Sequence, residues 1–145
     1  MSGQTEHTPI EAVEALESGA FRVGQVMRRL LAEHPDLPIR SIRPSVYVSG
    51  YFDEKASVAA RVDVSSGSVD GVRAWAEALG GEPVIRIIGP DQPFEHAELV
   101  VDVDGVSVEV AGTRRLSDDE TEAWRAEQDR AAAEESGAVP VGDAG

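Results

Sequence analysis

The chain has 145 residues and a formal net charge of −14, and its composition excludes several classes of function. It contains no cysteine, which excludes disulfide bonds, thiolate metal sites and cysteine nucleophiles. The acidic excess disfavours general binding to nucleic-acid phosphates, and no apolar run approaches the roughly 20 residues that a membrane-spanning helix needs.

The segment 8–34 has the pattern of two amphipathic helices. Thr8 can cap the first helix, and Pro9 suits its first position. Ser18-Gly19 interrupts the apolar spacing, which we interpret as the end of this helix. A second apolar face then continues to the end of the segment. The pattern predicts an N-terminal helical hairpin, preceded by a disordered N-terminus over residues 1–7.

From Ser45 the apolar residues recur with a period of two. Residues 45–52 and 58–64 alternate in this way on either side of a short polar turn, which predicts a β-hairpin with one buried face. A helix is predicted over 69–79, and Gly80-Gly81 supplies its C-terminal stop.

The last hairpin has the strongest local signal in the chain. A short apolar strand over 84–88 precedes it, and Asp104-Gly105 is a favoured two-residue turn. This turn predicts an apolar face on which Val103 pairs with Val106, Val101 with Val108, and Leu99 with Val110. A slip of one residue would bury the polar set instead, so the pattern fixes the register.

An acidic region follows the last strand. Ser117 and Glu120 have the spacing of a capping box, which opens a helix over 117–135. Apart from Trp124 this helix has almost no large apolar residue, so we expect it to be solvated. Residues 136–145 are expected to be a disordered tail. Helix and tail hold nine acidic residues and two arginines, which is half of the net charge.

The order of elements predicts the fold class. The order α-α-β-β-α-β-β-β-α, with hairpins interrupted by one helix, is typical of an α+β domain. We expect a single domain over 8–116 with a mostly antiparallel sheet of about five strands and helices on one face.

Basic and aromatic side chains suggest where a partner could bind. The second predicted helix carries a polar face on which arginines predominate, and Trp124 stands on the acidic helix. A helical hairpin over 8–34 with such a face could enter the major groove of DNA, although glutamates on the first helix would repel the backbone. The predicted partner-binding residues are Arg22, Gln25, Arg28, Arg29 and Trp124.

His96 is the histidine with most chemical interest. It shares a strand face with Glu98 and Asp102, a set that could bind a divalent metal or hold a general base. The alternative is the wet face of an amphipathic strand, which we favour, so His96 and Glu98 are weak metal candidates only. No phosphate-binding glycine loop or serine nucleophile motif occurs. We predict no catalytic residue and no cofactor.

Three segments carry a resemblance to known proteins. Residues 47–52, 72–80 and 104–106 resemble small uncharacterised proteins of actinobacteria and their phages. The dominance of arginine over lysine, with Lys55 as the only lysine, agrees with the high-GC coding of such genomes. The resemblance implies an accessory gene product and carries no activity or site.

The sequence thus favours a non-enzymatic interaction protein that binds a protein partner, and the resemblance implies that a phage or mobile element encodes it. The alternatives are a DNA-binding regulator that uses the 8–34 hairpin, a small enzyme or ligand-binding domain centred on His96, and an acidic DNA-mimic inhibitor. The start of the chain lacks a secretory pattern, so we expect a cytoplasmic protein without membrane contact. Free sheet edges leave a homo-oligomer open.

Overall fold

The computed structural model describes residues 9–49 and 57–137, which form three helices and five strands. The α+β class is therefore confirmed. Of the segments expected to be disordered, residues 1–7 and 138–145 lie outside the described residues, whereas Ser136 and Gly137 belong to the last helix. The elements are α1 (Pro9–Glu33), β1 (Ser41–Ser49), β2 (Ser57–Ser65), α2 (Val69–Leu79), β3 (Val84–Ile88), β4 (Phe94–Val103), β5 (Val106–Arg115) and α3 (Asp118–Gly137).

The five strands form one mixed sheet in the order β1-β2-β5-β4-β3. Three of its four pairings are antiparallel, and β2 pairs with β5 in parallel. The mostly antiparallel sheet was expected from the hairpin patterns. The parallel pairing was not expected, because it joins strands that are far apart in sequence and leaves no local signal.

The predicted N-terminal helical hairpin is wrong, because α1 is one continuous helix of 25 residues. Gly19 lies inside this helix and is buried against the sheet. A Cβ atom at Gly19 would lie 2.7 Å from Cγ1 of Val46 and 3.0 Å from Cγ1 of Val58. The glycine therefore allows α1 to lie close to β1 and β2, and it does not end the helix.

The core lies between the sheet and the helices α1 and α2. α1 packs against β1 and β2, and α2 packs against β4 and β5. Val62 of β2 is paired with Val108 of β5. Because paired residues point to the same face of a sheet, the buried valines of the two strands lie side by side. The buried apolar side chains are Val23, Val26, Leu30, Ala60, Val62, Val64, Val69, Val72, Trp75, Ala76, Ala97, Leu99, Val106, Val108 and Val110.

The helix α2 has the bounds that the sequence predicts. Oγ of Ser68 accepts a hydrogen bond from the backbone N–H of Gly71 at 2.9 Å, which caps its start. Gly80 ends the helix in the left-handed conformation, with φ of 80°. The indole of Trp75 is fully buried, and its Nε1–H donates to the carbonyl oxygen of Pro38 at 2.9 Å.

The hairpin of β4 and β5 has the predicted register, with Val103 opposite Val106 and Leu99 opposite Val110. Asp104 and Gly105 both have positive φ, as a tight turn of this kind requires. The backbone N–H of Gly105 also donates to Oδ1 of Asp102 at 3.0 Å.

The helix α3 begins with the predicted capping box. The backbone N–H of Ser117 donates to Oε1 of Glu120 at 2.9 Å, and the N–H of Glu120 donates to Oγ of Ser117 at 3.1 Å. Most of this helix is exposed, as expected from its sequence. Across the described ranges 9–49 and 57–137, no helix is long and apolar enough to cross a membrane.

Candidate functional site

The helix α1 carries a second apolar face in addition to the one that it buries in the core. The exposed fractions of Val13, Leu16 and Leu31 are 48%, 42% and 45%. Three smaller or half-buried residues of α1 lie between them, and the whole set recurs at intervals of three or four positions. All of these residues therefore lie along one side of the helix. We call this side the outer face of α1, and it comprises Val13, Leu16, Ala20, Gly24, Met27 and Leu31.

The outer face lies on the side of α1 that points past the edge strand β1. On the opposite side of the helix, Arg29 forms an ion pair with Asp104 in the β4–β5 turn. Arg22 also reaches this turn, since a Cβ atom on Gly105 would lie 3.6 Å from its Nη1. The side of α1 that carries Arg22 and Arg29 therefore faces the middle of the sheet. On the other side, β1 is the outermost strand beneath α1.

Gly24 has no structural role within the described chain. A Cβ atom on this residue would meet no heavy atom of the described residues within 4 Å, apart from its own helix and chain neighbours. Glycine inside a helix costs about 1 kcal/mol relative to alanine. At Gly19 this cost is compensated by the close contact between α1 and the sheet. At Gly24 no contact within the described chain compensates it.

The predicted basic face does not form one site. Arg29 is held by Asp104 and by Glu33, whose Oε1 lies 3.6 Å from its Nε. Arg28 points about 100° away from Arg29 around the helix and is exposed. Gln25 is also exposed. With one helix in place of two, the helix-turn-helix arrangement required for the DNA-binding interpretation is absent from the described residues.

The start of α3 is tied to the sheet by an exposed network around Arg114. Its guanidinium bonds Oε2 of Glu120 at 2.7 Å and Oε1 of Glu95 at 2.7 Å. The hydrogen bond from Arg114, with a further one from the backbone of Ser117, lowers the pKa of Glu120 to about 2. Trp124 is half-buried further along α3. It therefore belongs to a different helix from the outer face of α1.

The sheet face opposite the core, which we call the open face, holds His96 and Glu98. Both line a shallow depression of about 300 Å³. Three of its charged side chains are paired, because Arg61 lies 2.8 Å from Oδ1 of Asp63 and 2.9 Å from Oε2 of Glu109. Among the described residues, no group of three or more His, Asp or Glu side chains is arranged to hold a metal ion. The depression is a polar sheet surface lined by two arginines and three acidic side chains.

A larger open depression, of about 870 Å³, lies between the β3–β4 loop and the start of α3. Arg125 crosses it, and its Nη2 donates to the carbonyl oxygen of Asp91 at 3.0 Å. Acidic and basic side chains alternate in its lining, with Phe94 and Leu116 as the large apolar residues. This mixture selects for no ligand class.

Comparison with family models, with curated proteins and with solved structures gave no significant match. The functional argument therefore depends on the surfaces of this chain. The sequence pattern divides the apolar residues of 8–34 between two helices, so it does not predict the outer face. The available signal was the width of the apolar surface, which exceeds what one sheet contact can bury once the helix is continuous.

Proposed function

We propose that this protein is a non-enzymatic interaction protein that receives a helix of its protein partner on the outer face of α1. The observation that carries the proposal is an apolar face that extends along α1 and leaves Val13, Leu16 and Leu31 exposed among the described residues. Exposed apolar surface of this extent is typical of protein contacts. Phe21, with 70% of its side chain exposed, lies beside this face and adds to it.

The shape of the outer face favours a helical partner. From Val13 to Leu31 it spans about 27 Å along the helix, which is five turns. Ala20 and Gly24 at its centre are small, which lets the backbone of a second helix approach closely between the larger side chains at both ends. A partner at this position would also account for the glycine that has no role within the described chain.

Two other surfaces have weaker support. On the open face, Arg61 is paired with Asp63 and Glu109, and the described residues form no metal-binding cluster there. A DNA-binding role would need a free basic face, but Arg29 is engaged with Asp104 and the chain carries a net charge of −14. The proposed role as an accessory protein of phage or mobile-element type depends on the resemblance alone.

Site-specific photo-crosslinking tests the proposal. A benzophenone side chain in place of Val13 would lie on the outer face, and the same side chain in place of Val100 would lie on the open face. Val100 is a matched control, because it is an apolar residue with 59% of its surface exposed. We expect protein adducts at position 13 that are lost when the labelled protein also carries Leu16→Glu, a change on the same face. Equal adduct formation at positions 13 and 100, or none at position 13, would overturn the proposal.

A further inference from the structure

We propose that the partner helix is α1 of a second copy of this chain, packed antiparallel across a two-fold axis that passes near residue 22. This inference rests on the proposed function, because it names the occupant of the outer face. It follows from the order of large and small side chains and from the charges beside them.

The outer face is self-complementary in size. In a two-fold pair, residue i of one copy lies opposite residue j of the other, and j lies opposite i. With the axis near residue 22, Ala20 lies opposite Gly24 of the second copy, and Val13 lies opposite Leu31. Leu16 comes within one residue of the level of Met27. Small side chains thus meet at the centre and large ones at both ends, as close packing of two helices requires.

The charges beside the outer face are also self-complementary. Glu17 and Arg28 lie on the same flank of α1, because eleven residues complete slightly more than three whole turns. Neither side chain has an ion pair among the described residues. In the antiparallel pair, Glu17 of each copy lies at the level of Arg28 of the other. The symmetry therefore forms two equivalent ion pairs from residues that have no such partner in one copy.

The size of the contact indicates a weak and reversible dimer. A single helix pair of five turns buries less than the roughly 1,200–2,000 Å² of a standard interface. The net charge of −14 on each copy adds repulsion, which salt at about 0.15 M screens beyond roughly 8 Å. We therefore expect association in the micromolar range or weaker, and measurements need to cover concentrations from about 5 μM to 1 mM.

Sedimentation velocity of the full chain with charge-reversed variants tests the inference. Wild-type protein should sediment faster as its concentration rises. Glu17→Arg and Arg28→Glu should each raise the dissociation constant by about tenfold, because each change converts both ion pairs into like-charge contacts. The double variant Glu17→Arg/Arg28→Glu should recover most of the wild-type affinity. Gly24→Leu, which adds bulk at the centre, should abolish the dimer.

Circular dichroism and thermal unfolding of each variant provide the control for folding. Because Glu17 and Arg28 are exposed, reversing their charges should leave the spectrum and the unfolding temperature unchanged. Three results would overturn the inference: wild-type protein that stays monomeric, a dimer that neither reversal weakens, and a double variant without recovery. The proposed function fails separately, if photo-crosslinking at position 13 yields no specific adduct. An adduct with a different protein would support the proposed function and overturn the second copy as occupant.

Discussion

Two glycines of α1, five residues apart, occupy opposite environments. Gly19 lies against Val46 and Val58, so its missing side chain makes room for the sheet. Gly24 points into open space within the described chain. The sequence pattern presents Gly19 as the end of a helix and assigns no role to Gly24. Only the packing of each residue separates a glycine required by the fold from one that the fold does not need.

Alanine substitutions should separate these two roles. Gly19→Ala places a Cβ atom 2.7 Å from Cγ1 of Val46, and we expect a loss of about 1–2 kcal/mol in the free energy of unfolding despite the better helix propensity. Gly24→Ala should raise that free energy by up to about 1 kcal/mol. Urea unfolding at low protein concentration measures both. Changes of the same sign would contradict the assigned environments.

Glu120 should titrate far below an ordinary glutamate. Its pKa is lowered to about 2 by Arg114 and by the backbone N–H of Ser117. A depressed pKa means that the contribution of this carboxylate to stability is complete above the unfolded value of about 4.5 and is lost as the pH falls from there through about 2. NMR titration of the Glu120 side-chain carbon should give a midpoint near 2.

The Glu120→Gln variant is the matched control for this titration, because it keeps the side-chain shape and removes the charge. In this variant, the amide signals at the start of α3 should lose the transition with a midpoint near 2 that Glu120 produces. A wild-type midpoint near the ordinary value would show that the network around Arg114 does not hold in solution.

At the scale of elements, local patterns predicted α2 and the β4–β5 hairpin, because each has its own start, stop or turn signal. Ser68 and Gly80 bound the helix, and Asp104-Gly105 determines the hairpin register. The parallel pairing of β2 with β5 and the continuity of α1 depend on contacts between distant segments, which no local pattern contains. The outer face was missed for the same reason, since its residues form one surface only when α1 is unbroken.

Trp75 links α2 to the segment between α1 and β1, so it should be a strong stability determinant. Trp75→Phe removes the hydrogen bond to the carbonyl oxygen of Pro38 and leaves space at a fully buried position. We expect a loss of about 2–3 kcal/mol in the free energy of unfolding by urea denaturation. Arg73→Ala, at an exposed position of the same helix, is the control and should change it by less than about 0.5 kcal/mol. Equal effects would contradict this linking role.

At the scale of the whole molecule, α1 and α2 cover one face of the sheet, and acidic charge accumulates toward the C-terminus of the chain. The composition predicted this charge distribution, and it disfavours contact with nucleic acids. What composition does not contain is where apolar surface stays exposed after folding. In this chain one such surface lies on α1, beside the edge strand β1, and we propose that its side chains and flanking charges are complementary to those of a second copy.

Disulfide trapping tests the pairing of the outer faces most directly, because the natural chain has no cysteine. Two single variants, Ala20→Cys and Gly24→Cys, would be mixed under mild oxidation, with Ala78→Cys as a control at an exposed position of α2. The antiparallel pair predicts rapid formation of a disulfide between position 20 of one copy and position 24 of the other. Dimers that form no faster than those of Ala78→Cys would contradict the account.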